Sequence, residues 1–423
     1  MSKIKEKWRY LYEGYVIRGS FDFVFLCCVL LLFTIGIIMM FSAGYVYAEY
    51  NKGNATIFFK SQLEKAVLGF VAMIILSKID YRIFNSFLTI VINIGAVGLL
   101  FYALLSNLGS GDQDTSRWVY IFGFQFQPSE IAKFAVILLM SYLMCVFQTQ
   151  LRAPAGKKAI LNFERDNLPK YERILFKNVR GQKAACTVLA LAVGFYCGLI
   201  LLEKHYSAAI LIMLMGISML WLSGTRGRYF AIVLGLMAFI VTIVLLKPDV
   251  LSGFGFAESR IMAFLDKNNP DYIDSRRQTV NGLYAIGSGG LFGVGLGNSK
   301  QKQLYIAEPH NDFIFPVVIE ELGFVGAAFI LCLFAFLIYR GYKIAIRCKD
   351  YFGSLLVMGI MIQIALQVII NIAVVTDMIP NTGMALPFFS FGGTAIIVLL
   401  AEMGVVLSVS RKSSISKSRR IKL

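Results

Sequence analysis

The chain has 423 residues, of which 57% are hydrophobic and 16% charged, with a mean hydropathy of +0.69. That balance excludes a soluble globular protein of this length and points to repeated membrane crossing. The formal net charge of +16 would suggest nucleic acid in a soluble chain. Here the basic residues cluster in tails and short loops, so they read as orientation signals and contacts to anionic membrane lipids, with no nucleic acid implied.

Apolar runs of about 20 residues mark ten predicted spans, at roughly 22–42, 62–77, 85–105, 128–149, 184–203, 207–223, 229–247, 312–338, 353–375 and 391–410. The expected fold class is all-α: a polytopic integral membrane bundle of about ten helices, forming one membrane domain over 1–423. With both termini cytoplasmic, most of the 41 Lys and Arg fall inside, in the tails (about 1–20 and 411–423), the 150–183 loop and the 339–352 loop. The first apolar run is too long for a signal-peptide core and is expected to stay as an uncleaved span. None of the seven cysteines falls in an outer loop, and their spacing matches no metal site.

In chain order, the first outer loop ends at Phe58-Phe59-Lys60-Ser61-Gln62. The third carries Arg117-Trp118 and then Gln127-Pro128-Ser129-Glu130-Ile131-Ala132-Lys133. Proline suits the first helical turn and Glu130 favours a helix N-terminus, so a span should start near Pro128. Glu130 and Lys133, three apart, share a face within ion-pair reach. The basic 150–183 loop contains Pro154 and Pro169, with a short surface helix expected around Tyr171–Val179. The large outer loop, about 248–311, brings Arg260, Arg276, Arg277 and a glycine run from Gly287 to Gly297. That run does not fit a dinucleotide fingerprint and reads as close-packed backbone at the membrane face. The last outer loop, Pro380 to Gly393, has the composition of irregular backbone dipping toward a cavity.

The most informative stretch is His310-Asn311-Asp312-Phe313, running on to Glu320-Glu321. An acid at the centre of a membrane helix costs about 2.5–3.5 kcal/mol, so such residues usually have a task. Aspartate is also a good N-cap, so a structural and a chemical reading of Asp312 both stand. Glu320 and Glu321 admit a proton relay or, for one of them, bonding to neighbouring helices. Glu130–Lys133 admits substrate contact or a plain ion pair, and Arg117-Trp118 admits an interfacial anchor. Cations, a lone carboxylate and flexible glycines beside an apolar bundle suit a lipid-linked anionic substrate, with a generic transporter or a structural membrane protein as the alternatives.

Three blocks resemble the SEDS family, the FtsW, RodA and SpoVE proteins of bacterial cell-wall synthesis. They are Arg117-Trp118 with Gln127 to Lys133, the run from Ala285 to Gly326, and Thr382-Gly383 to Gly393. Asn298-Ser299-Lys300-Gln301-Lys302 and Glu308-Pro309-His310 look most like the FtsW and SpoVE branch. The resemblance implies a peptidoglycan glycosyltransferase in the cytoplasmic membrane that polymerises lipid II, with Asp312 catalytic. It also implies a class B penicillin-binding protein as partner, alongside other division or sporulation proteins. The substrate set it suggests is Lys60, Arg117, Gln127, Ser129, Glu130, Lys133, Arg276, Arg277, His310, Thr382 and Ser390. No metal ligands are implied, and a divalent cation such as Mg2+ on the leaving pyrophosphate is left open. A flippase of the same precursor and a non-catalytic division scaffold are the alternatives. The chain departs from the family pattern at Ser61, at His205 in place of an aspartate, and at Asn281, Asn311 and Asp377.

Overall fold

The computed structural model describes residues 19–106 except 86, 118–151 except 122 and 123, 181–225, and 256–421 except 268, with four isolated positions (179, 227, 231 and 235). Its helices are α1 (Phe23–Lys52), α2 (Ile57–Lys78), α3 (Phe87–Ser106), α4 (Pro128–Val146), α5 (Gly181–Leu202), α6 (Tyr206–Leu222), α7 (Phe256–Leu265), α8 (Ile273–Ser288), α9 (Ile314–Arg347), α10 (Tyr351–Val375) and α11 (Gly393–Ile421). Among the described residues seven helices (α1, α3, α4, α5, α9, α10 and α11) are long and apolar enough to cross a membrane, and α6 is a shorter apolar helix. The chain is therefore a multi-pass membrane helix bundle. The predicted span at 229–247, the surface helix near Tyr171–Val179 and most of the 150–183 loop lie outside the described residues.

Local chemistry sets the helix ends. Asp22 caps α1 by accepting from Phe25 N–H at 2.9 Å, and Gly53 closes the helix in the left-handed region. Pro128 opens α4 at its first turn, as predicted. Between α3 and α4 the chain makes a small antiparallel hairpin, β1 (Val119–Ile121) with β2 (Phe124–Phe126), which pairs Tyr120 with Gln125. The large loop is not loop throughout. It holds α7 and α8, whose mixed polar and apolar content hid them beside the stronger apolar spans.

The glycine run packs as expected. Helix α9 breaks at Gly323, where φ is +71° and ψ −178°. The 290–295 backbone inserts at that break: Val294 and Gly295 N–H donate to Glu320 and Glu321 carbonyls, and Phe324 and Val325 N–H donate to Gly290 and Leu291 carbonyls, all at 2.9–3.1 Å. A Cβ at Gly293 would lie 2.2 Å from Glu321 O and one at Gly323 2.3 Å from Gly293 N, so only glycine permits the contact.

Beneath that junction lies a buried polar knot. Glu321 accepts from Lys302 Nζ at 2.7 Å and from Ser42 Oγ of α1 at 2.7 Å, and Lys302 Nζ also donates to Ser42 Oγ. Glu320 accepts from Lys300 N–H at 2.9 Å and from Ser299 Oγ. The two acids thus pin the 299–302 segment into the bundle, and Glu321 also bonds a neighbouring helix through Ser42 of α1.

Candidate functional site

The chain leads from this pinned segment through His310 and Asn311 to Asp312. The α9 N-cap is Phe313, with no side-chain capping bond, so Asp312 does not start the helix. What fixes it is its backbone: Asn371 Nδ2, wholly buried on α10, donates to Asp312 O at 2.8 Å and to Met384 O at 2.7 Å. One amide thereby clamps the Asp312 segment to the last loop. A second clamp is Ser390, whose Oγ donates to Asn311 O and accepts from Leu386 N–H, both at 2.8 Å. Phe391 N–H donates to His310 O at 2.8 Å. These bonds hold the Asp312 backbone while its side chain remains partly exposed.

His310 is packed and not presented. Its ring stacks on Phe58 at 4.1 Å and lies near Tyr47 and Phe391. Burial in this loop pushes its imidazole down to about 4. The folded protein keeps His310 neutral to about pH 4, whereas the unfolded chain protonates near 6.5. Stability is therefore complete above pH 6.5 and falls as pH drops toward 4, by on the order of 3 kcal/mol. His310→Phe should reduce the loss of melting temperature between pH 7 and pH 4.5, and identical pH slopes in both proteins would exclude this assignment.

Across the last loop, Gly383 adopts φ +69°, and a Cβ there would stand 3.4 Å from both Asp312 Oδ2 and Arg260 Nη1. Arg260, on α7, also donates to Asn381 O at 3.2 Å. It lines a cavity of about 290 Å³ with Asp274, Arg277, Gln278, Tyr305 and Asn381. Arg277 thus reaches the cavity. Arg276 does not line it: its guanidinium bonds Asp377 at 3.3 Å and Ala263 O at 3.2 Å, and Lys267 joins the same carboxylate at 2.8 Å. Asp377 has φ +55°, so this carboxylate occupies a backbone position that suits glycine. Asn281 and Asn311 also find partners, Tyr305 O at 2.6 Å and Glu308 Oε2 at 2.8 Å.

The α4 residues form a second group. Lys133 and Glu130 pair at 2.8 Å with the lysine buried, and Glu402 of α11 lies close enough to couple to both charges. Glu402 accepts from Gln363 Nε2 at 3.0 Å. A cavity of about 40 Å³ touches Glu130, Gln363 and Ser390, linking this group to the loop that clamps Asp312. Gln127 contributes its backbone N–H to Thr394 Oγ1 at 3.0 Å. Ser129 Oγ and Thr382 Oγ1 are buried without a hydrogen-bond partner among the described residues. Lys60 stands exposed on α2, while Lys65 turns to Ser61 Oγ at 3.0 Å. Arg117 lies outside the described residues. No group of three or more His, Cys, Asp or Glu gathers for a metal among the described residues.

Sequence reasoning passed over Arg260, Asn371 and Glu402 as site residues. Glu402 and Asn371 carried a readable signal, each a polar group inside an otherwise apolar span. Arg260 carried none, because its place depends on how α7 folds back.

A membrane helix bundle that gathers a carboxylate, guanidinium groups and a polar cavity at one end is the class of protein defined here. The chain belongs to the FtsW/RodA/SpoVE family of cell cycle proteins, whose model matches residues 22–415. It is 35% identical over 94% of its length to the stage V sporulation protein E of Bacillus subtilis, covering 98% of that protein. It is 34% identical over 93% of its length to the probable peptidoglycan glycosyltransferase FtsW of Geobacter sulfurreducens, covering 95% of that chain. The fold is similar to the rod shape determining protein RodA of Thermus thermophilus, with a TM-score of 0.61 at 22% identity over 93% of this chain and 97% of the other. It is also similar, with a TM-score of 0.68 at 21% identity over 93% of this chain and 98% of the other, to a chain in a structure described as the coordination of polymerization and crosslinking by a peptidoglycan synthase complex.

Proposed function

We propose that this chain is a peptidoglycan glycosyltransferase that polymerises lipid II into glycan strands at the outer face of the cytoplasmic membrane, in division or sporulation wall synthesis. Ten spans with both termini cytoplasmic belong to the same proposal, since that arrangement puts Asp312 outside. The carrying observation is Asp312 itself, backbone-clamped by Asn371, with its Oδ2 and Arg260 Nη1 each 3.4 Å from where a Gly383 Cβ would stand. Its carboxylate would take the proton of the acceptor's 4-hydroxyl as that oxygen attacks the donor's anomeric carbon, and the lipid pyrophosphate would leave with inversion. A general base must reach its proton at hydrogen-bond distance, and a partly exposed carboxylate beside a cavity allows that. A divalent cation such as Mg2+, where bound, would neutralise the leaving pyrophosphate, and Asp274 is the carboxylate of the cavity lining that could help hold it. No step here depends on it. Family membership and relatives named as probable glycosyltransferases support the reading.

Lipid II polymerisation by the purified protein with its partner is the test. Glycan strands of increasing length are the expected product. Movement of lipid II across vesicle membranes without any lengthening would instead establish the flippase, and neither activity would leave the scaffold.

The partner proposed is a class B penicillin-binding protein, docking its membrane helix on α9 and α10. The sequence suggests small residues there as the docking surface, but two of them pack inward. A Cβ at Gly359 would lie 2.7 Å from Ile137 Cγ2, and one at Gly353 2.6 Å from the Tyr81 ring. The surface of α9 that does face out carries Phe324, Val325 and Phe329. Replacing Phe324 and Phe329 together with Ala should leave the bundle folded and weaken co-purification with the partner, whereas undiminished co-purification would move the docking site elsewhere.

A further inference from the structure

Two polar ties between α1 and α9 measure the height of the bundle. At one level Asp22 pairs with Arg340, and at the other Ser42 bonds Glu321, which holds Lys302. At 1.5 Å per residue these levels stand about 30 Å apart along α1 and about 29 Å apart along α9. The two helices agree, and the spacing is that of a bilayer's hydrocarbon core, about 30 Å. Side chains at the Arg340 level fit an interface: Tyr339 and Tyr342 are exposed, and Lys343 Nζ lies 4.4 Å from the Tyr339 ring centre. The Lys302–Glu321 knot therefore marks the other edge of the apolar slab, on the side where α9 begins.

Phe324 and Val325 follow Glu321 along α9 and so lie inside that edge, by about 4–6 Å at the helical rise. The glycine run goes in with them. Gly290 and Leu291 carbonyls accept from Phe324 and Val325 N–H at the deeper end of the junction, and Val294 and Gly295 N–H donate to Glu320 and Glu321 carbonyls at its shallower end. Between these bonds the chain turns at Leu291-Phe292, closed by Gly293 N–H donating to Gly289 O at 2.9 Å. Irregular backbone survives at membrane depth only when its polar groups are met. Here the break in α9 and the inserted loop meet each other's. The stretch from 278 to 299 carries no charged residue. Its tip turns Leu291 and Phe292 outward, 64% and 80% exposed.

We infer that the Leu291-Phe292 tip is a re-entrant lipid anchor, seated among the acyl chains of the leaflet on the Asp312 side. Depth and composition choose hydrocarbon as its occupant, because a protein-binding surface would carry a polar rim that this stretch of glycine and apolar residues lacks. Helix α8 ends at Ser288, just before the tip, so the anchor holds α8 and the Arg277 cavity wall at a fixed height over the membrane. The inference rests on neither the polymerase reading nor the partner reading.

The test places the full chain in nanodiscs of phosphatidylcholine, either plain or brominated on the acyl chains. Emission added by Phe292→Trp, over that of the wild type, should be blue-shifted, should lose most of its intensity in the brominated discs and should resist iodide. Leu291→Trp should behave alike, and both side chains are exposed, so neither change disturbs packing. Tyr50→Trp is the control: it stands on α1 about 42 Å from the Asp22 level, beyond the hydrocarbon, and should respond to iodide and not to bromine. Iodide quenching of the tip variants without bromine quenching puts the tip in water and overturns the inference. In native membranes, Phe292→p-benzoylphenylalanine should cross-link on illumination to phospholipid. A cross-link to a protein instead would make the tip a docking surface and overturn the lipid assignment.

Discussion

Asp312→Asn and Asp312→Ala should abolish glycan-strand synthesis and leave the melting temperature close to that of the wild type. The separation of the two effects follows from how the residue is held. Asn371 grips the backbone carbonyl of Asp312, not its carboxylate, and the N-cap of α9 is Phe313, with no side-chain capping bond. Removing the carboxylate therefore leaves these backbone bonds in place. General-base catalysis contributes about 10²–10⁴ in rate, so the Asn variant, which keeps the shape but cannot take a proton, should fall by that much or more. Polymerisation by the Asn variant at near wild-type rate would falsify the base assignment. Asn371→Ala offers a contrast: it should lower both stability and kcat, since it frees the Asp312 segment from the Met384 carbonyl it shares.

Much of this site could be read from the chain, and the parts that could not share one cause. Apolar length located the seven long apolar helices among the described residues, Pro128 located the start of α4, and the glycine run announced a close backbone contact that Gly293 and Gly323 then make. Those features are local, and residue type alone dictates them. The direction in which a side chain points is not local. Two neighbouring arginines looked equivalent until α8 turned one to Asp377 and the other to the cavity. Gly359 looked like a lipid-facing small residue until α4 and α6 packed against it. Lys302 lies in the large loop, and nothing in its sequence neighbours says that Glu321 draws it wholly inside. Asp312 was legible because an acid beside a membrane span is rare, whichever way it points.

Lys302→Met should cause the largest loss of stability of any single change outside the α4 charges. Both members of the Lys302–Glu321 pair are fully buried at 2.7 Å, with Ser42 bridging them. Tyr45 lies beneath the ammonium, 4.9 Å from ring centre to Nζ. Methionine fills much of the lysine's volume but strands the Glu321 carboxylate on hydroxyl and amide donors alone. Leaving one buried charge unpaired costs about 3–5 kcal/mol, a large fraction of what holds a folded protein together. Glu321→Gln in the same background removes the stranded charge, and the double variant should regain most of the lost melting temperature. The effect should reach activity as well. The 299–302 segment that the pair pins leads directly into His310 and Asp312, so the single variant should polymerise poorly even at temperatures where it remains folded. Melting curves and polymerisation measured on the two single variants and the double variant decide the matter. If Lys302→Met melts with the wild type, the buried pair contributes nothing and the segment is held by the Glu320 bonds and the glycine junction alone.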